Sequence, residues 1–250
     1  MSNTECVALL TGTTSGIGSA IAEVLLQEGW NVLGLSRRPA SFENPRYCHV
    51  QIDLGDLEHL REIADHKLAP MMTNRHWQRI GLVNNAASSS DLRSVEETDP
   101  RILLQHFAVN TVAPIFLMGF LVRLTPPSVP LRMVNVSTGA AHLPIPGFVD
   151  YGVSKTALRF AGMTLAEELS ADQRPGGALS NVAILSYEPG VVDTPMQDTL
   201  RSRVGPWNQP FVDFHARGML QPPDAPAQEI VSFLTGDSTK PFEERRFTAP

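Results

Sequence analysis

Apolar runs alternate with helical patterns along this chain, beginning with its first residues. The run at residues 6–10 is followed by a glycine-rich turn, and apolar residues then recur every three or four positions as far as Gly29. That spacing predicts a helix with a glycine stop, and the next apolar run, at residues 31–35, begins directly after it. Strand, turn, helix and strand in this order predict a β-α-β unit with parallel strands.

The same alternation continues through most of the chain. Strands that are buried on both faces of a sheet read as continuous apolar runs, and several later runs have this character. The sequence therefore predicts an α/β fold, a doubly wound parallel sheet (Rossmann fold) with helices on both faces. Further strands are predicted at 47–52, 80–83, 131–136 and 181–185, and further helices at 56–68, 100–124 and 151–169.

Residues 194–225 break this rhythm. The segment contains several prolines and four large apolar residues without a clean period, Trp207, Phe211, Phe214 and Met219. A long irregular segment inside a compact domain is usually functional, and the aromatic residues favour a pocket lid over a linker. We therefore predict a single Rossmann domain over residues 1–250 with a C-terminal substrate lid at about 194–225.

The composition argues against several classes of function. The 250 residues are 42% hydrophobic and 18% charged, as expected of one soluble domain, and the formal net charge is −6. A general nucleic-acid binder, or a protein that binds anionic membranes, would need a basic excess. Cys6 and Cys48 have no cluster of histidines or cysteines near them, so they predict neither a disulfide framework nor a metal site.

Targeting signals are also missing from the pattern. The apolar run at 115–122 is far shorter than the about 20 residues that a membrane span needs. The N-terminal residues are polar and show no apolar segment of the kind found in export signals. We therefore expect a cytoplasmic protein that binds neither nucleic acid nor a membrane.

A glycine turn follows the first predicted strand. Gly12, Gly16 and Gly18 stand at the junction between that strand and the first helix. Glycines at this junction allow a tight turn and let backbone N–H groups approach a pyrophosphate, which then lies at the positive end of the helix. Glycine turns without a ligand are common, but the position at the first β-α junction favours dinucleotide binding.

The end of the second predicted strand bears on the choice of dinucleotide. Sites that prefer NAD usually carry a carboxylate here, whereas this chain has Ser36, Arg37 and Arg38. A guanidinium group can bind a 2′-phosphate through two hydrogen bonds. We therefore predict NADP(H) as the cofactor, with Arg37 as the phosphate ligand and Ser15 as a hydroxyl helper. The alternative is that both arginines lie on a solvated loop and bind no ligand.

A third group of residues indicates acid–base chemistry. Tyr151 and Lys155 share one helix face, and Ser137 follows the strand predicted at 131–136. A phenol normally titrates near pH 10, too high for ready proton exchange at neutral pH. The ammonium group and an oxidised nicotinamide would lower the pKa of the phenol. The serine hydroxyl could then hold a substrate oxygen against the tyrosine.

With these motifs in place, the sequence resembles the short-chain dehydrogenase/reductase superfamily over essentially its whole length. Seven motifs occur in the order and spacing of that family, which makes the resemblance specific. The matching segments are residues 11–18, 53–54, 84–87 and 109–114, then Ser137, Tyr151 with Lys155, and residues 189–194.

The resemblance implies a role for each matched residue. Tyr151 would be the acid/base, Lys155 would lower its pKa and hold the nicotinamide ribose, and Ser137 would orient the carbonyl. Asn110 would support a water that links Lys155 to solvent. Asp53 would contact the adenine, unless it only caps the helix that begins near it. The implied cofactor-binding set is Gly12, Thr14, Ser15, Gly16, Ile17, Gly18, Arg37, Asp53, Leu54, Asn85, Ala86, Tyr151, Lys155, Pro189, Gly190, Val192 and Thr194.

Within the superfamily, residues 189–197 and the pair Ser36-Arg37 resemble the sepiapterin reductase and benzil reductase group. This resemblance implies NADPH-dependent reduction of a small, hydrophobic ketone or α-dicarbonyl, benzil-like or sepiapterin-like, to the hydroxy compound. The alternatives are an NADP-dependent alcohol dehydrogenase that acts oxidatively and a non-catalytic NADP(H)-sensing protein. The apolar pocket for such a ketone could be formed by Leu143, Ile145, Phe148, Trp207, Phe211 and Phe214.

Three features depart from the family pattern. Ala87 replaces the usual glycine after the paired asparagines, and Glu188 stands where a small or amide residue is more common. We expect the Glu188 carboxylate to be solvated rather than directed toward the pocket. Segment 242–247 lacks the usual glycine-bearing strand, so the pattern leaves a last strand open.

The resemblance also implies a homodimer or homotetramer. The helices predicted at 100–124 and 151–169 are similar to those that pair between subunits in this family. Pairing requires an apolar outer face, and we expect Phe116, Phe120 and Phe160 to contribute to it. The other expected partner is a small-molecule carbonyl substrate.

Overall fold

A computed structural model describes residues 5–40, 42–171, 181–238 and 240–248 of this protein. Residues 1–4, which bear on the expected absence of an export signal, lie outside the described residues. The strands in the described ranges are β1 Cys6–Thr11, β2 Asn31–Ser36, β3 Tyr47–Gln51, β4 Arg79–Asn84, β5 Leu131–Val136, β6 Val182–Glu188 and β7 Phe242–Arg246. They form one parallel sheet in the order β3-β2-β1-β4-β5-β6-β7, which confirms the predicted doubly wound α/β fold.

Helices cover both faces of this sheet. They are α1 Gly16–Gln27, α2 Leu57–Ile63, α3 Ala69–Thr73, α4 Pro100–Phe107, α5 Ala113–Leu124, α6 Val149–Ala171, α7 Pro195–Ser202, α8 Gln209–Ala216 and α9 Asp224–Thr235. Neighbouring strand residues point to opposite faces, so Met133 of β5 packs beneath the α5 face while Val134 packs beneath α1 and α9. The sheet is therefore buried on both sides, as its apolar strands predict.

The strand order creates a crevice at the carboxyl end of β1. From β1 the chain moves outward through β2 and β3, and it then returns to the other side of β1 as β4. Ligands of open α/β sheets bind at such a reversal, outside the carboxyl ends of the strands. The residues that follow β1, β4, β5 and β6 therefore meet at one edge.

Two π-helical turns interrupt the long helical stretches. Residues Ala64–Leu68 join α2 to α3, so the helix predicted at 56–68 continues to Thr73. A second turn, Ala108–Val112, joins α4 to α5. By length and composition, Pro100–Leu124 is the one helix among the described residues that could cross a membrane, yet Leu117 and Leu121 pack into the sheet core.

The sequence suggested that the segment at 194–225 is irregular, but this was wrong: the segment contains α7 and α8 and leads into α9. Pro195 and Pro210 lie in the first turns of α7 and α8. Proline is compatible with a first helical turn because the N–H it lacks would have no helical partner there. Proline content alone was therefore a poor guide to the structure of this segment.

The C-terminal segment forms β7, which pairs in parallel with β6 and closes one edge of the sheet. The sequence left this strand open because the segment lacks the usual glycine-bearing strand. Four of the five residues of β7 are charged, and only Phe242 and Glu243 are partly buried. An edge strand tolerates such a composition because one side of it faces solvent.

The outer faces of the long helices differ from expectation. Phe120 is only 3% exposed and Phe116 packs against the core, so neither contributes to an outer face. Phe160 is 66% exposed. The other exposed apolar residues of α4, α5, α6 and the turn between α4 and α5 are Leu104, Val112, Ile115 and Val153.

Gly18 offers a test of the packing at the first turn. A Cβ at this position would overlap the carbonyl oxygen of Gly12 and the side-chain amide of Asn85. We expect Gly18→Ala to lower the free energy of unfolding by about 1–3 kcal/mol, the usual range for overpacking. Urea denaturation measures this change.

Gly119→Ala is the matched control, because a Cβ there meets only Arg123 Nη1 at 3.6 Å. Alanine is favoured over glycine inside a helix, so this variant should be neutral or more stable by up to about 1 kcal/mol. Equal destabilisation by both substitutions would contradict the close contact at Gly18.

Candidate active site

A cleft of about 480 Å³ opens at the carboxyl ends of the central strands, a size in the range of small-molecule sites. The described residues around it bring together almost all the site residues predicted from the sequence. Those that line it are Gly12, Thr14, Ser15, Gly16, Ile17, Arg37, Asp53, Leu54, Asn85, Ala86, Ser137, Tyr151, Lys155, Pro189, Gly190, Val192 and Thr194. Gly18 and Asn110 are the two predicted residues that do not.

The glycine turn forms one wall of the cleft. Gly12 and Gly16 have positive φ angles of 76° and 56°, a backbone region that favours glycine. A Cβ at Gly12 would lie 2.9 Å from Asn85 Nδ2, and a Cβ at Gly16 would lie 2.9 Å from Thr194 Cγ2. Asn85 Nδ2 also donates to the Gly12 carbonyl at 3.1 Å, which ties the turn to the end of β4. The result is a backbone cradle at the N-terminus of α1, where an anion is favoured.

The second strand ends in a basic loop at the same cleft. Arg37 and Arg38 are exposed and line it, and neither guanidinium group forms an ion pair or hydrogen bond with a residue that the structure describes. The Ser36 hydroxyl donates to the Arg38 carbonyl at 2.7 Å and lies 3.0 Å from His49 Nε2. This loop therefore presents two free guanidinium groups on a backbone that Ser36 holds in place.

Asp53 lies at the cleft beside this loop, and its Oδ1 accepts from the Gly55 N–H at 2.9 Å. The residue that caps α2 is Asp56, whose Oδ1 accepts from the His59 N–H at 3.0 Å. The capping role that was the alternative for Asp53 therefore belongs to Asp56.

Tyr151 and Lys155 lie at the opposite end of the cleft, on successive turns of α6. Lys155 is 2% exposed, and its Nζ donates to the Val136 carbonyl at 2.7 Å and lies 5.8 Å from the centre of the Tyr151 ring. Burial lowers the pKa of Lys155 to about 8 and raises the pKa of Tyr151 to about 12, since a low-dielectric site disfavours both charged forms. Burial therefore outweighs any lowering of the phenol's pKa by the ammonium group.

The Ser137 hydroxyl has no hydrogen-bond partner among the described residues, although the residue is only 6% exposed. Its backbone N–H donates to the Tyr187 carbonyl at 2.7 Å, which fixes the turn after β5 against β6. A buried hydroxyl without a partner is costly unless a ligand supplies one. The position is suited to a ligand oxygen in the cleft.

Asn110 lies behind the cleft, in the π-helical turn between α4 and α5, and is fully buried. Its Oδ1 accepts from the Ser88 N–H at 2.7 Å, and its Nδ2 lies 3.1 Å from the Ser88 carbonyl and 3.0 Å from Ser154 Oγ. The Ser154 hydroxyl donates to the Tyr151 carbonyl at 2.8 Å. Asn110 thus reaches Tyr151 through Ser154.

An apolar wall adjoins Tyr151. Phe148 meets the Tyr151 ring edge-on at 5.9 Å and stacks on Phe211 of α8 at 5.5 Å. Phe148 and Phe211 line the cleft as expected, whereas Trp207 packs against the same cluster without lining the cleft.

The rest of the expected pocket was wrong. Leu143 and Ile145 are 66% and 43% exposed, and Phe214 contacts Phe211 from outside the cleft. Met196 and Leu200 of α7 take their place. These two residues have helical spacing after Thr194-Pro195, a helix start that the sequence could have revealed.

We expected the Glu188 carboxylate to be solvated, but the structure shows it largely buried. Its side chain is 14% exposed, its Oε1 lies 3.2 Å from His142 Nε2, and its Oε2 lies 3.5 Å from Arg246 Nε. The carboxylate therefore joins the end of β6 to β7 and to the turn after Ser137. Among the described residues, no group of three or more His, Cys, Asp or Glu side chains is arranged to hold a metal ion.

A family model described as short chain dehydrogenase matches residues 6–205 of this chain. The chain is 30% identical over 236 residues to a benzil reductase ((S)-benzoin forming) of Bacillus subtilis, across 90% of this chain and 92% of that protein. It is 28% identical over 257 residues to the sepiapterin reductase of Bos taurus, across 95% and 91% of the two chains. The likeness covers nearly all of the chain and of both relatives.

Solved structures with the same fold also match. A short-chain dehydrogenase from Streptomyces avermitilis has a TM-score of 0.73 and 25% identity, across 98% of this chain and 89% of that one. A 4-hydroxyisoleucine dehydrogenase complexed with NADH has a TM-score of 0.78, across 96% of each chain. Its identity of 18% shows likeness of fold alone.

The free hydroxyl of Ser137 can be tested through stability. Because it has no described partner, we expect Ser137→Ala to change the free energy of unfolding by less than about 0.5 kcal/mol or to raise it. Ser154→Ala is the control, since it breaks contacts with Tyr151 and Asn110 and should cost about 1–3 kcal/mol. Urea denaturation of both variants measures these changes. A large loss of unfolding free energy in Ser137→Ala would mean that the hydroxyl has a structural partner.

Proposed function

The chain belongs to the short-chain dehydrogenase family, and on this premise we propose that it is an NADPH-dependent reductase of a small, hydrophobic ketone or α-dicarbonyl. The family consists of oxidoreductases that bind a nicotinamide cofactor. One observation carries the proposal: the free Ser137 hydroxyl, Tyr151 and the buried Lys155 meet an apolar wall at one end of the cleft.

The cleft fits a dinucleotide along its length. The glycine turn leaves space that a Cβ at Gly12 or Gly16 would fill, which suits a pyrophosphate at the N-terminus of α1. Asp53 and Leu54 would contact the adenine end, while Pro189, Gly190, Val192 and Thr194 would contact the nicotinamide end. A bound nicotinamide cofactor would supply the hydride for reduction.

Each polar group at the nicotinamide end has a distinct task in this proposal. The Ser137 hydroxyl donates a hydrogen bond to the substrate carbonyl oxygen, and Tyr151 gives that oxygen its proton as negative charge develops. Burial keeps Tyr151 protonated, which suits an acid in the reductive direction. Lys155 stabilises the phenolate that remains and holds the nicotinamide ribose, while Asn110 supports the water that returns a proton.

Preference for NADPH is supported by charge. No carboxylate stands at the end of β2. Among the described residues, Arg37 and Arg38 also have no ion-pair partner that would compete with a 2′-phosphate for their guanidinium groups. The chain as a whole carries −6, so attraction of a polyanionic cofactor must be local. In this proposal Arg37 binds the phosphate bidentately, and Ser15 adds a hydroxyl.

The wall beside Tyr151 supports an apolar substrate over a pterin. Asp53 is the only carboxylate among the described cleft residues, and it lies at the adenine end. A pterin ring would need an acceptor for its N–H groups at the other end, whereas an aryl ketone needs surfaces such as Phe148 and Phe211. The relatives named benzil reductase are consistent with this choice.

Two alternatives share this fold. An NADP-dependent alcohol dehydrogenase would use the same residues in reverse, and the ratio of oxidised to reduced cofactor decides the direction. A non-catalytic NADP(H) sensor needs the glycine turn but has no use for a Ser137 hydroxyl without a described partner in the same cleft as Tyr151.

We further propose a cytoplasmic homodimer or homotetramer that binds neither nucleic acid nor a membrane. Its contacts would use the exposed apolar residues of the long helices. Phe160 and Leu104 are 66% and 70% exposed, and apolar side chains of that size favour a partner surface.

Removal of the Tyr151 hydroxyl is the main test of the function. In Tyr151→Phe the ring contacts with Phe148 remain, so NADPH binding should change little, while kcat with benzil should fall about 10²–10⁴-fold. The measurement is NADPH absorbance with a panel of benzil, small diketones and sepiapterin.

Tyr187→Phe is the control for this test, because the Tyr187 hydroxyl donates to Glu229 at 2.9 Å, on the side of the sheet that α9 covers. It should keep most of the activity. Comparable turnover by Tyr151→Phe and the wild type would refute the role of Tyr151 as acid.

Arg37→Ala tests the choice of cofactor. Loss of a charge-assisted hydrogen bond worth about 1.5–3 kcal/mol should weaken NADPH binding about 10–100-fold and leave NADH binding nearly unchanged. Fluorescence titration of both cofactors gives the two affinities, with Arg46→Ala, an exposed arginine outside the cleft lining, as the control. An equal loss for NADPH and NADH would remove Arg37 from the phosphate site.

A further inference from the structure

A buried carboxylate stands directly before Tyr151. Asp150 is 5% exposed and is the second residue of α6. Its Oδ1 accepts from the Tyr151 N–H at 2.7 Å and lies 2.7 Å from the Ser90 hydroxyl. Its Oδ2 accepts from the Asp91 N–H at 3.0 Å and lies 3.5 Å from His106 Nε2. A buried charge requires such partners, so three separate segments of the chain are fixed at this carboxylate.

The loop at 88–92 links this carboxylate to Asn110. Ser88 is held on both sides by the Asn110 amide, through its N–H at 2.7 Å and its carbonyl at 3.1 Å. Leu92 has a φ of 55°, the one positive value among the described non-glycine residues, and its N–H donates to Ser90 Oγ at 3.0 Å. A backbone conformation of this kind persists only where its surroundings hold it, and it clusters at functional sites.

The same loop reaches the helices that cover the substrate end. Arg203, in the connection between α7 and α8, places Nη2 2.7 Å from Asp91 Oδ1. Its carbonyl accepts from Asn208 Nδ2 at 2.8 Å, which fixes the connection. The charge-assisted hydrogen bond between Arg203 and Asp91 is directional, so it fixes where the connection lies. Asp91 is itself held to Asp150 through its backbone N–H.

An apolar contact runs parallel to this ion pair. Phe211 of α8 stacks on Phe148, which meets Tyr151 edge-on. Trp207 packs so closely on Gly147 that an added Cβ would lie 2.7 Å from it. Apolar burial is not directional, so these contacts alone would let the two helices slide over the loop. The ion pair supplies the register that they lack.

We propose that Asp150 is a positioning residue for Tyr151, and that the Asp91–Arg203 ion pair fixes α7 and α8 to that same carboxylate. The helices then close on a hydrophobic ketone only in the register that places its carbonyl at the tyrosine. We expect Arg203 to act on the ketone rather than on the cofactor, because it is part of the connection between α7 and α8, the helices that carry the apolar cleft residues Leu200 and Phe211. The inference rests on the proposed role of Tyr151 as acid.

Steady-state kinetics with benzil and NADPH separate the two arms of this network. Arg203→Met keeps the apolar stem and loses the charge, so the KM for benzil should rise about tenfold while NADPH affinity stays within about twofold. Asp150→Asn keeps the shape but weakens the anchor of both Tyr151 and Asp91, so kcat should fall about tenfold or more and the KM for benzil should rise as in Arg203→Met. Asp91→Asn should reproduce the effect of Arg203→Met.

Arg201→Met is the matched control. Arg201 lies two residues away in α7, and its ion pair is with Asp198 of the same helix. The same chemical change at this position should leave the KM for benzil unchanged. A similar rise in both arginine variants would overturn the proposal, as would a loss of NADPH affinity equal to the rise in KM for benzil.

The double variant Asp150→Asn/Arg203→Met tests whether the two arms act through one network. Its kcat/KM should be close to that of Asp150→Asn alone, whereas independent effects that multiply would overturn the proposal. If Asp150→Asn does not fold, Ser90→Ala removes one contact from the carboxylate and should lower kcat in the same direction. An unchanged kcat in Ser90→Ala would then contradict the role of Asp150.

These outcomes are distinct from those of the proposed function. Failure of the function appears as wild-type turnover that Tyr151→Phe retains. Failure of the positioning network appears as a wild type that depends on Tyr151 but shows no difference between Arg203→Met and Arg201→Met.

Discussion

Parallel hydrogen bonding across seven strands is the constraint on which the rest of this structure depends. Parallel strands must be joined by crossovers, so every carboxyl end lies at the same edge of the sheet. The reversal of direction at β1 then opens a crevice at that edge. The glycine turn, the basic loop after β2, Ser137 and Pro189 are far apart in sequence, yet each follows a strand of this sheet. The site is therefore a consequence of the topology.

Burial is the physical theme at the reacting end of the cleft. The same low-dielectric surroundings keep Tyr151 protonated and bring the pKa of Lys155 down to about 8, while a carbonyl at the end of β5 holds the ammonium group. Ser137 is buried beside them, and its hydroxyl has no hydrogen-bond partner in the part of the chain that the structure describes. Unsatisfied polar groups and buried charges reduce stability, and they persist where a ligand completes them. The arrangement favours the protonated phenol.

The sequence predicted the parallel sheet as far as β6 and a set of site residues of which nearly all line the cleft, because these depend on local patterns. Apolar runs and helical spacing are short-range signals, and the glycine turn and the Tyr151–Lys155 pair each lie within a few residues. The wall of the pocket was predicted less well. Leu143 and Ile145 are as apolar as Met196 and Leu200, and hydrophobicity alone cannot say which pair faces the cleft.

What the sequence by itself determined is thus the fold class, the family and the set of residues at the strand ends. Only the tertiary structure decided their surroundings: that Glu188 contacts His142 and Arg246, that Asp150 gathers donors from three segments, and that burial governs the pKa of Tyr151. Hydrogen bonds and desolvation act between groups that are adjacent in space. Such neighbours leave no periodic trace in a single chain, because their positions are set by how the helices and loops pack.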